Sequence, residues 1–198
     1  MGFSTILDIL GSVIISGMLL VILMRLSDAN TENVFNNGAE LSLQQNLAVS
    51  AMVLEADFRR IGYCQNYNLI PHTNAIIAAS DSSISFLTDV NDVGKIDTLH
   101  YYLGPTSELL STANPRDRYL YRVVNNEPPK GINLGITQFH LVYFDQLGDT
   151  LHPPITEPSL IAAMEINIAV ENVEGYDQQY STAFWRQIRL AAKNLKNR

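Results

Sequence analysis

Apolar side chains dominate the first 26 residues, and this pattern predicts an α-helix that enters a membrane. From Ile9 to Met24 the chain carries no charged residue, and Arg25 follows directly. As a helix rising about 1.5 Å per residue, the segment from Phe3 to Met24 would span about 33 Å, close to the roughly 30 Å of a bilayer core. We therefore predict an anchor helix over residues 1–26. It is expected to be retained, because no Lys or Arg precedes Ile9 and no small-x-small cleavage site follows the apolar run.

The anchor contains a single carboxylate, Asp8, near its start. A charge in lipid costs on the order of 2.5–3.5 kcal/mol on insertion scales. Two interpretations remain open: Asp8 pairs with a cation or amine of a neighbouring subunit, or it lies at the membrane interface, where the helix dipole favours negative charge. Small residues allow helices to approach closely. The candidate assembly residues are therefore Asp8, Gly11, Ser12, Ser16 and Gly17.

A polar stretch over residues 27–39 follows the anchor. Its Asn and Gly residues are poor helix formers, so the stretch predicts either a linker or a helix that can melt locally. Over residues 40–62 apolar positions recur at spacings of three and four, which is typical of an amphipathic helix, and Gly62 indicates its end. The stripe predicted to pack against the rest of the head consists of Leu47, Ala51, Leu54, Phe58 and Ile61.

Beyond Pro71 the apolar period changes from helical to alternating, which predicts β-strands. Strand candidates lie at residues 83–86, 98–103, 119–124, 139–143 and 183–190, with a turn at 145–149. The clearest strand alternates Met164, Ile166, Ile168 and Val170 with Glu165, Asn167, Ala169 and Glu171, as expected for a half-solvated strand. The predicted fold is α+β: an N-terminal transmembrane and amphipathic helix packed on an antiparallel β-sheet. The head is expected to span residues 40–198.

Composition argues against several kinds of function. A net charge of −7 over 198 residues disfavours nucleic acid as a partner. The one cysteine, Cys64, cannot form an intrachain disulfide or a multi-cysteine zinc site. The histidines at 72, 100, 140 and 152 show no metal-ligand spacing, so neither a metal nor a cofactor is expected.

Two kinds of motif could carry chemistry in this chain: a calcium-binding loop, and a nucleophile or phosphate-binding loop. The segment from Asp89 to Gly94 has the Asx and Gly residues of a calcium loop, but Val93 and His100 occupy positions that need oxygen ligands. An Asx-rich turn between strands is therefore the prediction. The chain has no G-x-S-x-G motif and no Gly-rich phosphate loop. We accordingly expect the protein not to be an enzyme.

Several segments, in order along nearly the whole chain, resemble type IV pilins and type II secretion pseudopilins, most closely the PilW-like minor pilins and the J-type pseudopilins. Each segment alone is weakly specific, and their order carries the resemblance. The matching segments are Asp57–Tyr63, Ile84–Phe86, Asp89–Asp92, Thr98–Leu103, Tyr119–Arg122, Gly135–Phe139, Tyr143–Asp145 with Gly148, and Ile188–Leu195.

The resemblance implies a structural subunit of a bacterial filament or of a secretion or envelope machine. Such a subunit would lie in the inner membrane, with its head in the periplasm or outside the cell, or would belong to a cell-surface filament, and its partners would be other pilin-like subunits. The family cleaves between a Gly and a Phe, which Gly2 and Phe3 would allow. Here Leu7 stands where the family has glutamate, Asp8 comes one residue later, and only Met1 precedes Gly2. These departures favour an alternative, an unprocessed membrane-anchored adaptor or ligand-binding module of another membrane complex.

Overall fold

One long helix, α1 (Gly2–Arg59, 58 residues), begins the chain. The computed structural model describes residues 2–66, 68–71, 75–173 and 180–190, with backbone alone at 2–5 and 187–190. Residues 27–39 are helical throughout. Of the linker and the helix predicted as alternatives for this polar stretch, the structure therefore has the helix. The chain divides into two compact units, Met1–Leu41 and Ser42–Arg198, and the division falls two residues beyond the predicted end of the polar stretch.

Nine β-strands form two antiparallel sheets in the second unit. Sheet A has the strand order β1-β2-β3-β4-β5 and sheet B the order β7-β6-β8-β9. Two short 3₁₀ helices, Thr106–Leu109 and Pro158–Leu160, lie between strands. The strands are β1 Ile76–Ala79, β2 Ser83–Thr88, β3 Asp97–Leu103, β4 Leu120–Val124, β5 Lys130–Ile132, β6 Ile136–Phe144, β7 Thr150–Leu151, β8 Ala163–Glu171 and β9 Thr182–Leu190. The α+β class is confirmed, and the prediction of a single sheet is wrong.

The break between the sheets lies at Gly135, immediately before β6. Gly135 has φ +72°, and a Cβ atom there would lie 2.2 Å from the carbonyl oxygen of Glu171. Only glycine fits this left-handed, close-packed position. β6, which begins next to it, pairs with β8 and not with β5. The sheets remain joined by backbone hydrogen bonds from Leu141 N to Asp81 O, 2.7 Å, and from Arg118 N to Ile136 O, 3.0 Å.

Strand β8 is more deeply buried than its alternating sequence indicates. Its predicted apolar face is buried, but Glu165 and Glu171 on the other face are only 6% and 7% exposed. β8 lies between β6 and β9, and each carboxylate is paired: Glu165 with Arg186 at 2.9 Å, and Glu171 with Arg116 at 2.8 Å. The prediction of a half-solvated strand is therefore wrong, because arginines from β9 and from the loop before β4 cover the polar face.

A single core joins the second half of α1 to both sheets. It includes Leu54 and Phe58 from the helix, Phe86 and Tyr101 from sheet A, and Met164 from sheet B. The predicted alternation in β2 is confirmed, since Ile84, Phe86 and Thr88 are buried. The turn predicted at residues 145–149 is also present, closed by a hydrogen bond from Asp145 N to Asp149 O of 3.0 Å.

Candidate assembly surface

The N-terminal part of α1 exposes an apolar surface along its length. Between Ile6 and Leu26, large apolar side chains remain 50–66% exposed, and none of this stretch is buried inside the molecule. The helix is long and apolar enough to cross a membrane. The exposed side chains are Ile6, Leu7, Ile9, Leu10, Val13, Ile14, Ile15, Met18, Leu19, Leu20, Val21, Ile22, Leu23, Met24 and Leu26.

The predicted assembly residues do not all share one face of this helix. At about 100° per residue, Gly11, Ser12 and Ser16 lie within about 80° of Asp8, whereas Gly17 lies about 180° away. The Ser12 hydroxyl donates to Ile9 O at 2.8 Å, which satisfies its hydrogen within its own helix. A Cβ atom at Gly11 or Gly17 would meet nothing within 4 Å. The structure thus places Asp8, Gly11, Ser12 and Ser16 together and Gly17 apart. Gly2 and Phe3, the two residues of the candidate processing site, begin α1. Met1 lies outside the described residues.

The predicted head-facing stripe, which lies in α1 except for Ile61 in the turn just after it, is buried where its spacing placed it. Leu54, Phe58 and Ile61 are at most 1% exposed, and Leu47 is partly buried against the same core. Phe58 contacts Phe86 edge-on and Tyr101 at a tilt, with ring centroids 5.6 and 5.5 Å apart. The same apolar spacing continues one step earlier, to Leu43, which is 3% exposed. The predicted stripe did not include this residue.

A partly buried ion pair attaches the end of α1 to sheet A. The carboxylate of Asp57, 18% exposed, accepts hydrogen bonds from the Tyr101 hydroxyl and from Arg122 Nε, the latter at 2.6 Å. Burial, with the adjacent Asp57 charge, raises the pKa of Tyr101 well above its ordinary value, so its hydroxyl remains a donor. The hydrogen bond to Asp57 likewise raises the pKa of Arg122. Sequence reasoning singled out Asp57 only within the family motif, because nothing local indicates partners 44 and 65 residues away.

The helix end is also joined to the end of β2 by a set of hydrogen bonds, here called the helix-end clamp. It consists of Gly62 N donating to Leu87 O at 2.8 Å, Thr88 Oγ1 donating to Arg60 O at 2.9 Å, and Asp89 N donating to Tyr63 O at 2.8 Å. Gly62 has φ +73°, the left-handed conformation that ends helices. The predicted stop at Gly62 is therefore confirmed, three residues after the last residue of α1.

The loop between β2 and β3 is organised around a buried carboxylate. Asp89 is fully buried and accepts from the backbone N–H groups of Gly94 at 2.8 Å, Val93 at 3.1 Å and Gln65 at 3.2 Å. Burial alone would raise the pKa of Asp89, but these hydrogen bonds outweigh it and lower the pKa below its ordinary value. Arg60 closes the loop by pairing with Asp92 at 2.7 Å. This geometry confirms an Asx-rich turn, in which the carboxylate accepts from its own loop.

The side of α1 that does not face the core carries exposed apolar residues within the second unit. Val49 is 51% exposed and Met52 is 71% exposed, and Met52 lines a shallow groove with Ala48, Ala56 and Arg59. Val53 adds a third apolar side chain, 38% exposed. This segment therefore has one apolar side in the core and further apolar side chains that remain accessible to another molecule.

The histidines do not converge on a common centre in the part of the chain that the structure describes. His100 Nδ1 lies 2.5 Å from the Ser85 hydroxyl on the outer face of sheet A, and its ring contacts Tyr102. Burial lowers the pKa of His100. His140 and His152 are exposed, and His72 lies outside the described residues. Among the described residues no group of three or more His, Cys, Asp or Glu side chains could hold a metal ion.

No protein-family model, curated protein or solved structure matches this chain. The class that the described structure defines is an α+β protein whose N-terminal helix can span a membrane and whose second unit combines the end of that helix with two antiparallel sheets.

Proposed function

We propose that this protein is a non-enzymatic structural subunit, of the minor pilin or pseudopilin kind, that assembles through its N-terminal helix in a bacterial inner membrane. The observation that carries the proposal is the run of exposed apolar side chains from Ile6 to Leu26, on a helix that continues into the core of the head. The resemblance of the sequence to pilin-like subunits supplies the kind of assembly. Other pilin-like subunits are the proposed partners.

The exposed helix surface is large enough to drive insertion into a membrane. Fully burying a large apolar side chain contributes about 1.5–3 kcal/mol. Because the side chains between Ile6 and Leu26 are already about half shielded by their helix, each retains on the order of 1 kcal/mol, so the run retains on the order of 15 kcal/mol. Once the helix lies in lipid this transfer term no longer favours association, so contact between anchor helices depends on packing and on pairing of polar groups.

The face around Asp8 is the proposed contact between anchor helices. A carboxylate on a lipid-facing surface would be costly, whereas a helix–helix contact brings it to a cation or amine. Gly11, Ser12 and Ser16 lie within about a quarter turn of Asp8 and permit the close approach that such a pairing needs. Leu10, about 200° from Asp8 around the helix, marks the opposite face.

Oxidative cross-linking of the full chain in the membrane of an expressing bacterium tests this contact. We expect Ser12→Cys to form disulfide-linked dimers and Leu10→Cys, the matched control, to form few. The native thiol of Cys64 is buried and contributes no background. Equal cross-linking at both positions, or none at Ser12→Cys in a well-expressed protein, would contradict assembly through the Asp8 face.

The alternative, an unprocessed membrane-anchored adaptor or ligand-binding module, is favoured by Leu7 and Asp8, which depart from the family pattern. Intact-protein mass spectrometry of the protein from its native membrane separates the two functions. A mass lacking Met1 and Gly2, with a methylated Phe3, would support the pilin-like subunit. A mass that retains Gly2 would favour the adaptor.

A further inference from the structure

A heptad spacing runs along the part of α1 that lies in the first unit. Between Ser12 and Asn37, residues recur at alternating spacings of four and three. At about 100° per residue, this spacing keeps the side chains within an arc of about 100° around the helix. The set, here called the α1 seam, consists of Ser12, Ser16, Leu19, Leu23, Leu26, Asn30, Asn33 and Asn37. Such a spacing is typical of helices that pack side by side.

The polar end of the seam distinguishes it from the other faces of the helix. Within the anchor, apolar side chains lie on every face, so the leucines alone do not define a contact. The charged residues at positions 25–37, by contrast, all lie about 140–160° around the helix from Asn30. They are Arg25, Asp28 and Glu32. The seam therefore carries amides without charge, and the charges lie on the opposite side.

The structure leaves this end of the seam accessible to another molecule. Leu23, Leu26 and the whole of residues 27–38 are exposed. A shallow groove at this point is lined by Leu23, Leu26, Ser27, Ala29, Asn30 and Asn33. Asn and Gly are poor helix formers, and most helical stability comes from packing, so an exposed helix of this composition lacks support of its own. A second helix lying on the seam supplies that support.

We propose that the α1 seams of two copies pack in parallel, with Asn30, Asn33 and Asn37 each facing the same residue of the second copy. This inference rests on the proposed function and deepens it by naming the partner and its register. Two copies anchored in one membrane run in the same direction, so a two-fold contact brings each residue to its equivalent. An asparagine amide is both donor and acceptor, so it pairs with its own copy, whereas a charged side chain would repel it.

The asparagines fix the register that the leucines leave open. A seam of leucines alone would allow one helix to slide along the other by a heptad. Such a slide would place Asn30 against Leu23 and Asn33 against Leu26, which leaves both amides without a partner in the contact. Asparagine at a seam position is a determinant of register and of the number of helices, at some cost in stability. The contact is expected to end at Asn37, because the next seam position holds Glu40 and would bring like charges together.

Oxidative cross-linking of the full chain in membranes tests the face and the register. Asn30→Cys and Asn37→Cys should each give disulfide-linked dimers, and Asp28→Cys, about 160° from Asn30, is the matched control that should give few. When Asn30→Cys and Asn37→Cys are co-expressed with tags of different size, homodimers should dominate, because the two positions lie about 10.5 Å apart along the helix. Equal yields from Asn30→Cys and Asp28→Cys, or abundant mixed dimers, would overturn the proposal.

A charge variant of nearly unchanged shape provides the second measurement. Asn30→Asp places two like charges face to face in the seam, so it should reduce the Asn37→Cys dimer by about tenfold. Asn36→Asp makes the same change about 120° around the helix from Asn30 and should leave that dimer unchanged. Equal effects of the two aspartates would contradict a contact through the seam.

Replacing the amides by leucine separates register from mere packing. The triple variant Asn30→Leu, Asn33→Leu and Asn37→Leu should still dimerise, but its helices should slide. A mixed dimer of Ser12→Cys with Leu19→Cys reports a slide of one heptad, and it should be absent with the native asparagines and present in the triple variant. Absence of this mixed dimer from a triple variant that still gives the Ser12→Cys dimer would overturn the role of the asparagines.

The outcome for the asparagines is distinguishable from that for the anchor. Ser12→Cys reports the contact between anchor helices by itself. A Ser12→Cys dimer without dimers at Asn30→Cys and Asn37→Cys would reject the asparagine contact and leave the anchor contact standing. Loss of the Ser12→Cys dimer in a well-expressed chain would reject the assembly mode proposed for the anchor, and the seam with it.

Discussion

Two ion pairs of nearly equal length near the end of α1 allow a direct test of how burial sets their strength. Arg122 Nε lies 2.6 Å from Asp57, and Arg59 Nη2 lies 2.5 Å from Glu55. The Arg122 and Asp57 side chains are 26% and 18% exposed, whereas the Arg59 and Glu55 side chains are 56% and 35% exposed. The two pairs therefore differ in the exposure of their side chains to solvent and not in the distance between their charged atoms.

We expect Arg122→Met to cost about 1–3 kcal/mol of unfolding free energy. Breaking a fully buried pair costs about 3–5 kcal/mol, and partial exposure together with the remaining Tyr101 hydrogen bond reduces that value here. Arg59→Met, on the same helix, should cost at most about 0.5 kcal/mol, as exposed i,i+4 pairs do. At about 2–4 °C per kcal/mol, Arg122→Met should lower the Tm by about 2–12 °C.

Trp185 is the only tryptophan and packs against the core, so its fluorescence reports unfolding of the second unit. Urea titrations of the full chain in detergent should give a coupling energy of about 1–2 kcal/mol for Asp57→Asn with Arg122→Met. The equivalent cycle on Glu55 and Arg59 should give less than about 0.5 kcal/mol. Equal coupling energies for the two cycles would refute the reasoning that burial sets the strength of the pair at Asp57.

Three further predictions concern the second unit. Gly135→Ala should cost about 3 kcal/mol or more in urea unfolding, because its Cβ meets a carbonyl oxygen at 2.2 Å, whereas Gly148→Ala, strained in φ but with open space, should cost about 1 kcal/mol. The hydrogen bond from Arg186 lowers the pKa of Glu165 below 4.5. The ionised Glu165 therefore stabilises the fold above pH 4.5, and this stabilisation is lost as the pH falls through the lowered pKa. Glu165→Gln should flatten the dependence of the unfolding free energy on pH in that acidic window. Burial raises the pKa of Asp117, which is 1% exposed, so Asp117→Asn should raise the Tm at neutral pH, and the gain should shrink as pH falls towards 3.8.

Local periodicity was sufficient for the elements whose burial is one-sided. The stripe through Leu54 and Phe58 and the alternation of Ile84 and Phe86 both follow from the geometry of a helix or a strand against one core. Gly62 could be assigned because a helix end needs a left-handed residue. Each of these assignments depends on residues within one or two turns of the position itself.

The features that the sequence did not predict depend on distant partners. The split into two sheets arises at Gly135, whose missing side chain makes room for a carbonyl 36 residues away in sequence. The alternating pattern of β8 indicates that Glu165 faces solvent, but in the structure its arginine partner on β9 covers it. Alternation indicates which residues share a face, but it does not indicate whether another strand or loop covers that face.

The helix-end clamp has a mechanical consequence. A load pulling on α1 passes at Gly62 and Tyr63 directly into the end of β2, which is flanked on both sides by β1 and β3. Tension would therefore have to break the clamp bonds at Leu87, Thr88 and Asp89 together before it could peel a strand from sheet A. An interior strand shares such a load with two neighbours, whereas an edge strand has only one. The end of α1 is thus attached to an interior strand of sheet A, a position suited to withstand traction.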